Sequence, residues 1–125
     1  MNQYNGVTLA YIGDAYYELL IREALLSRGL VKVENLHNEA VSYTSAEGQK
    51  RALDAIFGDL TEEEITYFKR GRNQNTNRKA RNADLATYKQ ATGFEALLGH
   101  LYLSKQFSRI EELLNKILTM KKSEE

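Results

Sequence analysis

Two carboxylates stand in surroundings that do not suit them. Asp14 lies within Ala10-Tyr11-Ile12-Gly13-Asp14-Ala15, and Glu95 within Ala91-Thr92-Gly93-Phe94-Glu95-Ala96-Leu97-Leu98-Gly99. An unpaired carboxylate among apolar residues is costly to bury, so each needs compensation. Small residues flank both acids: Ala10 sits one helical turn before Asp14, and Ala91 and Gly99 one turn either side of Glu95. Helices carrying Gly13 and Gly99 can approach closely, with the two acids face to face. Carboxylates so placed repel and raise one pKa unless a cation lies between them. Magnesium suits such a seat because it keeps several waters and needs only one or two protein carboxylates. Water held there is a nucleophile for hydrolysis. The competing reading is that each acid pairs with a lysine or arginine or lies on a solvated face, as lone acids on helices commonly do. Glu18 has an ordinary surface partner of that kind in Arg22, four residues on.

A second feature is hidden by the overall charge, which balances at 17 basic and 17 acidic residues. From Lys69 to Arg81 there are six basic residues (Lys69, Arg70, Arg72, Arg78, Lys79, Arg81) and no acidic one. Immediately before it lies an acidic cluster, Asp59 with Glu62, Glu63 and Glu64. Clustered cations favour a phosphate-rich partner, and the interspersed Asn73, Gln74, Asn75, Thr76, Asn77 and Asn82 can donate hydrogen bonds to phosphate or ribose. No aromatic residue lies in this segment to stack on bases, which favours gripping the outside of a duplex over capturing a single strand. A solubilising polar loop is the alternative.

The elements that must position these groups read as helices. The 125 residues suit one domain, and 42% hydrophobic content can bury one modest core. There is no proline, and apolar residues recur at three-and-four spacing. The expectation is an all-α domain over residues 1–121, with an exposed basic loop at 72–82 and a frayed tail at 122–125. The first helix should run from Val7 to Ser27, with Gly29 as a left-handed terminator. Asn35 should cap a helix to Tyr43, and Ser45 one to Phe57 ended by Gly58. Thr61 with Glu64 forms a capping box for a helix ending near Gly71. Asn82 or Asp84 opens a long helix to about Lys105, and Ser108 with Glu111 caps a terminal helix from Arg109 to Lys121. Zero cysteines exclude disulfides, a thiol nucleophile and thiolate metal sites. His37 and His100 lack a second histidine at helical spacing and read as structural, as do most of the eight tyrosines and the cluster Phe94, Leu97, Leu98, Leu101 and Leu103. The Met1 to Gly6 start lacks the order of a signal peptide, and no run reaches membrane-spanning length, so the chain reads as cytoplasmic, without a membrane partner.

Tyr11-Ile12-Gly13-Asp14-Ala15 and Phe94-Glu95-Ala96-Leu97-Leu98-Gly99 resemble the two acidic motifs of the ribonuclease III catalytic domain. The resemblance is nearest to the bacterial mini branch of that family, which lacks the separate double-stranded-RNA-binding domain. Leu36-His37, Val41 to Ala46, Lys69 to Asn73 and Asn82-Ala83-Asp84 with Thr87-Tyr88 follow as further landmarks in the expected order. The resemblance implies a homodimeric helical bundle that cleaves double-stranded RNA with magnesium, or manganese as a substitute, leaving 5′-phosphate and 3′-hydroxyl ends. It implies a large-subunit ribosomal RNA precursor as substrate and a ribosomal protein as partner. Asp14 and Glu95 match the catalytic and metal-binding acids, and Tyr11 matches an interface aromatic. Arg70, Arg72, Arg78, Lys79 and Arg81, with Lys89 as a lesser contributor, would hold the RNA. Full-length members carry two further acids where this chain has Ala10 and Thr92, so water and substrate phosphate are expected to complete the coordination. The alternative is a non-catalytic RNA-binding or ribosome-assembly module that has kept the fold; a helical interaction protein without nucleic acid is a third reading.

If the segment grips a duplex, replacing Arg78, Lys79 and Arg81 together with glutamine should weaken RNA binding and lower the slope of log affinity against log salt by about 2–3. Fluorescence anisotropy over a salt series measures both, and an unchanged slope would mark the loop as merely solvated.

Overall fold

The computed structural model describes residues 4–74 and 84–120. Among them the chain forms α1 (Gly6–Ser27), α2 (Val33–Thr44), α3 (Ala46–Ile56), a 3-10 turn (Phe57–Asp59), α4 (Glu62–Arg72), α5 (Leu85–Leu103) and α6 (Phe107–Leu118), with no strand. The all-α expectation holds. Arg78, Lys79, Arg81 and the tail 122–125 lie outside the described residues.

Most helix ends follow the local chemistry of their caps. Asn5 accepts from the Thr8 amide at 2.9 Å to start α1. At its other end Gly29 takes φ 98°, and the amides of Gly29 and Leu30 reach back to the carbonyls of Leu26 and Leu25. Ser45 accepts from the Gly48 amide to open α3, and Asp84 accepts from the Ala86 amide to open α5. Thr61 and Glu64 form the reciprocal capping box of α4.

Three ends differ from the sequence reading. The Lys32 carbonyl already accepts from the Leu36 amide at 2.9 Å, so α2 begins at Val33 and Asn35 lies inside it. Gly58 stays within the 3-10 turn and adopts no positive φ. Between α5 and α6 the left-handed residue is Lys105, at φ 61°, where a glycine would be usual. It ends α5 at Leu103, and the Gln106 carbonyl accepts from the Ile110 amide, leaving Ser108 inside α6 rather than capping it.

α5 is the axis of the bundle, with α1, α3, α4 and α6 packed on it. Phe94, Ala96, Leu97, Leu98 and Leu101 are buried on different faces of α5, as expected of a helix surrounded by others. Leu103, at the end of that helix, is 37% exposed and leaves the expected core cluster. Tyr17 and Ile21 from α1, Ala52 and Ile56 from α3, Phe68 from α4 and Leu113 from α6 complete the core. Arg109 of α6 clamps buried Glu64 of α4 through two bonds of 2.8 and 2.9 Å, and donates to the Asp59 carbonyl at 2.6 Å.

The closest approach joins α1 to α5. A Cβ on Gly13 would overlap the Glu95 carbonyl oxygen, and one on Gly99 would overlap that of Leu9. Backbone meets backbone, so no neighbouring side chain can turn aside. Gly13→Ala should therefore destabilise the fold by about 3 kcal/mol or more in urea unfolding, whereas Gly58→Ala, facing open space, should stay within about 0.5 kcal/mol. Equal effects would mean the crossing is looser than it looks.

Candidate active site

Because α1 and α5 touch through Gly13 and the Glu95 carbonyl, the residues beside that contact are brought together. Asp14 and Glu95 are close enough to share a hydrogen bond between their carboxyl groups. Asp14 is exposed, so it escapes the burial cost its apolar neighbours suggested; Glu95 is half-buried and bears that cost instead. Burial pushes the Glu95 carboxyl up to about 8, against a hydrogen bond from Gln49 that favours the charged form; the charge and shared proton of Asp14 push the same way as burial, and Glu18 adds a little. Among the described residues neither acid meets a lysine or arginine. Among the described residues the ion-pair form of the competing reading is not met, whereas the exposure of Asp14 is what its solvated-face form expects. Glu18 does pair with Arg22, at 3.4 Å.

The acids open into a cleft of about 420 Å³ among α1, α4 and α5, lined also by Val7, Ala10, Tyr11, Gln74, Tyr88, Lys89 and Thr92. Ala10 and Thr92, the positions where the resemblance expects further acids, face this same space. Among the described residues no third Asp, Glu or His joins the pair in a metal-holding group. Two carboxylates with an open side form a donor set that fits magnesium, which retains much of its water. The proton that the raised Glu95 carboxyl keeps is what such an ion would replace.

The expected RNA contacts are placed unevenly. Lys89 lies in the cleft beside the acids. Arg70 is partly engaged, donating to the Tyr4 carbonyl at 3.0 Å with its guanidinium 4.5 Å above the Tyr67 ring. Arg72 is the last residue of α4 rather than part of a loop; it lies 5.5 Å over Phe68 and donates to Asn73. Tyr11 is 78% exposed, a large aromatic without cover in the single chain. His100 is buried and stacked on Tyr67 at 3.5 Å, and His37 is exposed on α2, so neither reaches the acids.

Sequence reasoning missed Gln49. It is 3% exposed, and its Nε2 donates to Glu95 Oε2 at 3.0 Å and to the Thr44 carbonyl at 3.2 Å. The signal was a polar side chain three, four and seven residues before Ala52, Leu53 and Ile56, on the apolar face of α3.

The ribonuclease III domain profile matches residues 7–106. Mini-ribonuclease 3 of Enterococcus faecalis is 49% identical over 115 residues, covering 90% of this chain and 87% of that protein. Mini-ribonuclease 3 of Brevibacillus brevis is 42% identical, covering 98% and 92%. A crystal structure of a Fusobacterium nucleatum protein superposes with a TM-score of 0.85 at 32% identity, covering 96% of this chain and 98% of that one. With its paired acids at the crossing of α1 and α5, the chain belongs to the ribonuclease III family, in the branch of the mini-ribonuclease 3 proteins.

Proposed function

We propose that this protein is a magnesium-dependent endoribonuclease that cuts double-stranded RNA to 5′-phosphate and 3′-hydroxyl ends. The observation that carries the proposal is the convergence of Asp14 and Glu95 in an open cleft, with no lysine or arginine paired to either among the described residues. Asp14 and Glu95 would hold the ion, with manganese as a substitute. When bound, such an ion activates water and offsets charge developing on the phosphate. Lys89, on the wall of the same cleft, binds a phosphate of the strand. Arg70, Arg72, Arg78, Lys79 and Arg81 contact the backbone further along, and Arg70 and Arg72 do so from positions already steadied by Tyr67 and Phe68. Family membership and the exposed Tyr11 support a homodimer in which two sites, related by a two-fold axis, cut opposite strands. A large-subunit ribosomal RNA precursor is the substrate this reading favours, with a ribosomal protein as partner and the cytoplasm as setting. Among the described residues no helix is long and apolar enough to cross a membrane.

Incubation with a long RNA duplex and magnesium, then with chelator, tests the activity. Asp14→Asn should lower cleavage at least about 100-fold while the melting temperature stays within a few degrees, since Asp14 is exposed. A fully active variant would remove Asp14 from the mechanism. The raised Glu95 carboxyl gives a second expectation. The folded, metal-free protein keeps this proton to about pH 8, whereas the unfolded chain has lost it above about 4.3. Folding stability in chelator should then fall as pH rises from about 5 to 8. Magnesium affinity should rise over the same window, with a proton released on binding. Melting curves and calorimetry in two buffers measure these, and Glu95→Gln should flatten the stability profile; an equally steep profile in that variant would assign the proton elsewhere.

A further inference from the structure

We infer that Gln49 is a positioning residue of the active site, aiming the Glu95 carboxylate at the cation seat; this rests on the metal-dependent reading above. Gln49 lies 46 positions before Glu95, on a helix that carries no other group of the site. Its own place is fixed at the backbone. The Gln49 amide donates to the Ser45 carbonyl at 2.8 Å, and a Cβ on the preceding Gly48 would overlap the Ser42 carbonyl, so the start of α3 is seated directly on the end of α2.

The side-chain amide has two N–H donors, and both are used, one on the Thr44 carbonyl and one on Glu95. Two acceptors at one nitrogen fix which end of the amide faces the acid. Gln49 Oε1 is left buried, with no hydrogen-bond partner among the described residues. A buried acceptor without a donor lowers stability. An apolar side chain of the same length would fill this space without that cost, so what the amide adds is its two bonds, of which the one to Glu95 reaches the site. A neutral donor also suits the place better than a lysine or arginine would, because it orients the carboxylate without cancelling the charge that the ion needs.

Gln49→Met keeps the length and removes the donor. Manganese titration of the RNA-free protein by calorimetry should show affinity falling about 10–100-fold, as when other orienting partners of metal ligands are removed. The turnover rate on duplex RNA should fall while KM for RNA changes less than about twofold. A folded Gln49→Met protein with metal affinity and turnover within about twofold of the parent would overturn the inference. Gln49→Asn, too short to span from Thr44 to Glu95, guards against a misfolded methionine variant: it should show the same loss of metal affinity, and wild-type affinity would again refute the assignment. Asp14→Asn run alongside separates the two readings. Loss of metal binding in Asp14→Asn but not in the Gln49 variants sinks only the role of Gln49, whereas wild-type metal binding in Asp14→Asn sinks the site itself.

Discussion

The contact of two backbones at Gly13 and Gly99 governs the rest of the structure. Close-packed interiors leave few gaps, and here even a methyl group is excluded, since the carbonyls of Glu95 and Leu9 occupy the space where it would lie. α1 and α5 are thereby set closer than side-chain packing alone would bring them. Asp14 and Glu95 are neighbours of that contact in sequence, so their meeting follows from the crossing rather than from any attraction between them. Once both are ionised their charges repel; burial first, with the Asp14 charge adding to it, raises the Glu95 carboxyl. Packing of Phe94, Leu97, Tyr17 and Ile21 holds together what electrostatics would separate.

Support then spreads outward in layers. α3 contributes Gln49 to Glu95 and is itself seated on α2. α4 brings the basic residues to the edge of the cleft, and its other end is locked by Glu64 and Arg109, where burial of the carboxylate is outweighed by the hydrogen bonds it receives from Arg109 and Thr61. One helix thus carries an acidic first turn, from Glu62 to Glu64, and a basic last turn, with Lys69, Arg70 and Arg72. Both ends complement the helix dipole, so the charge reversal that looked functional in the sequence also stabilises the element that bears it.

Much of this was legible before any coordinates. The acids were visible because they break an apolar pattern, and the small residues beside them gave the means of approach. Capping chemistry at Ser45, Thr61 and Asp84 was equally readable, since a cap acts within three residues. The failures arose where an interaction, near or far in the chain, was one that the local rules do not weigh. Lys105 in a left-handed conformation moved the start of α6, because the turn is imposed by the helices it joins and not by a glycine. Lys32 displaced Asn35 for want of any local rule favouring it. Gln49 has meaning only when α3 is laid against α5, 46 residues on. Arg70 and Arg72 read in the sequence only as part of a cationic segment, and their ring partners, Tyr67 and Phe68 a turn back, do not enter that reading.

The bond from Arg70 to the Tyr4 carbonyl has a mechanical side. Tyr4 immediately precedes the cap of α1, and Gly6 at the start of that helix rests against the Arg70 carbonyl. From Gly6 to Asp14 the chain is continuous helix, about 12 Å of it. The basic end of α4 and the start of the helix that carries Asp14 are consequently tied at two points, so neither shifts without the other.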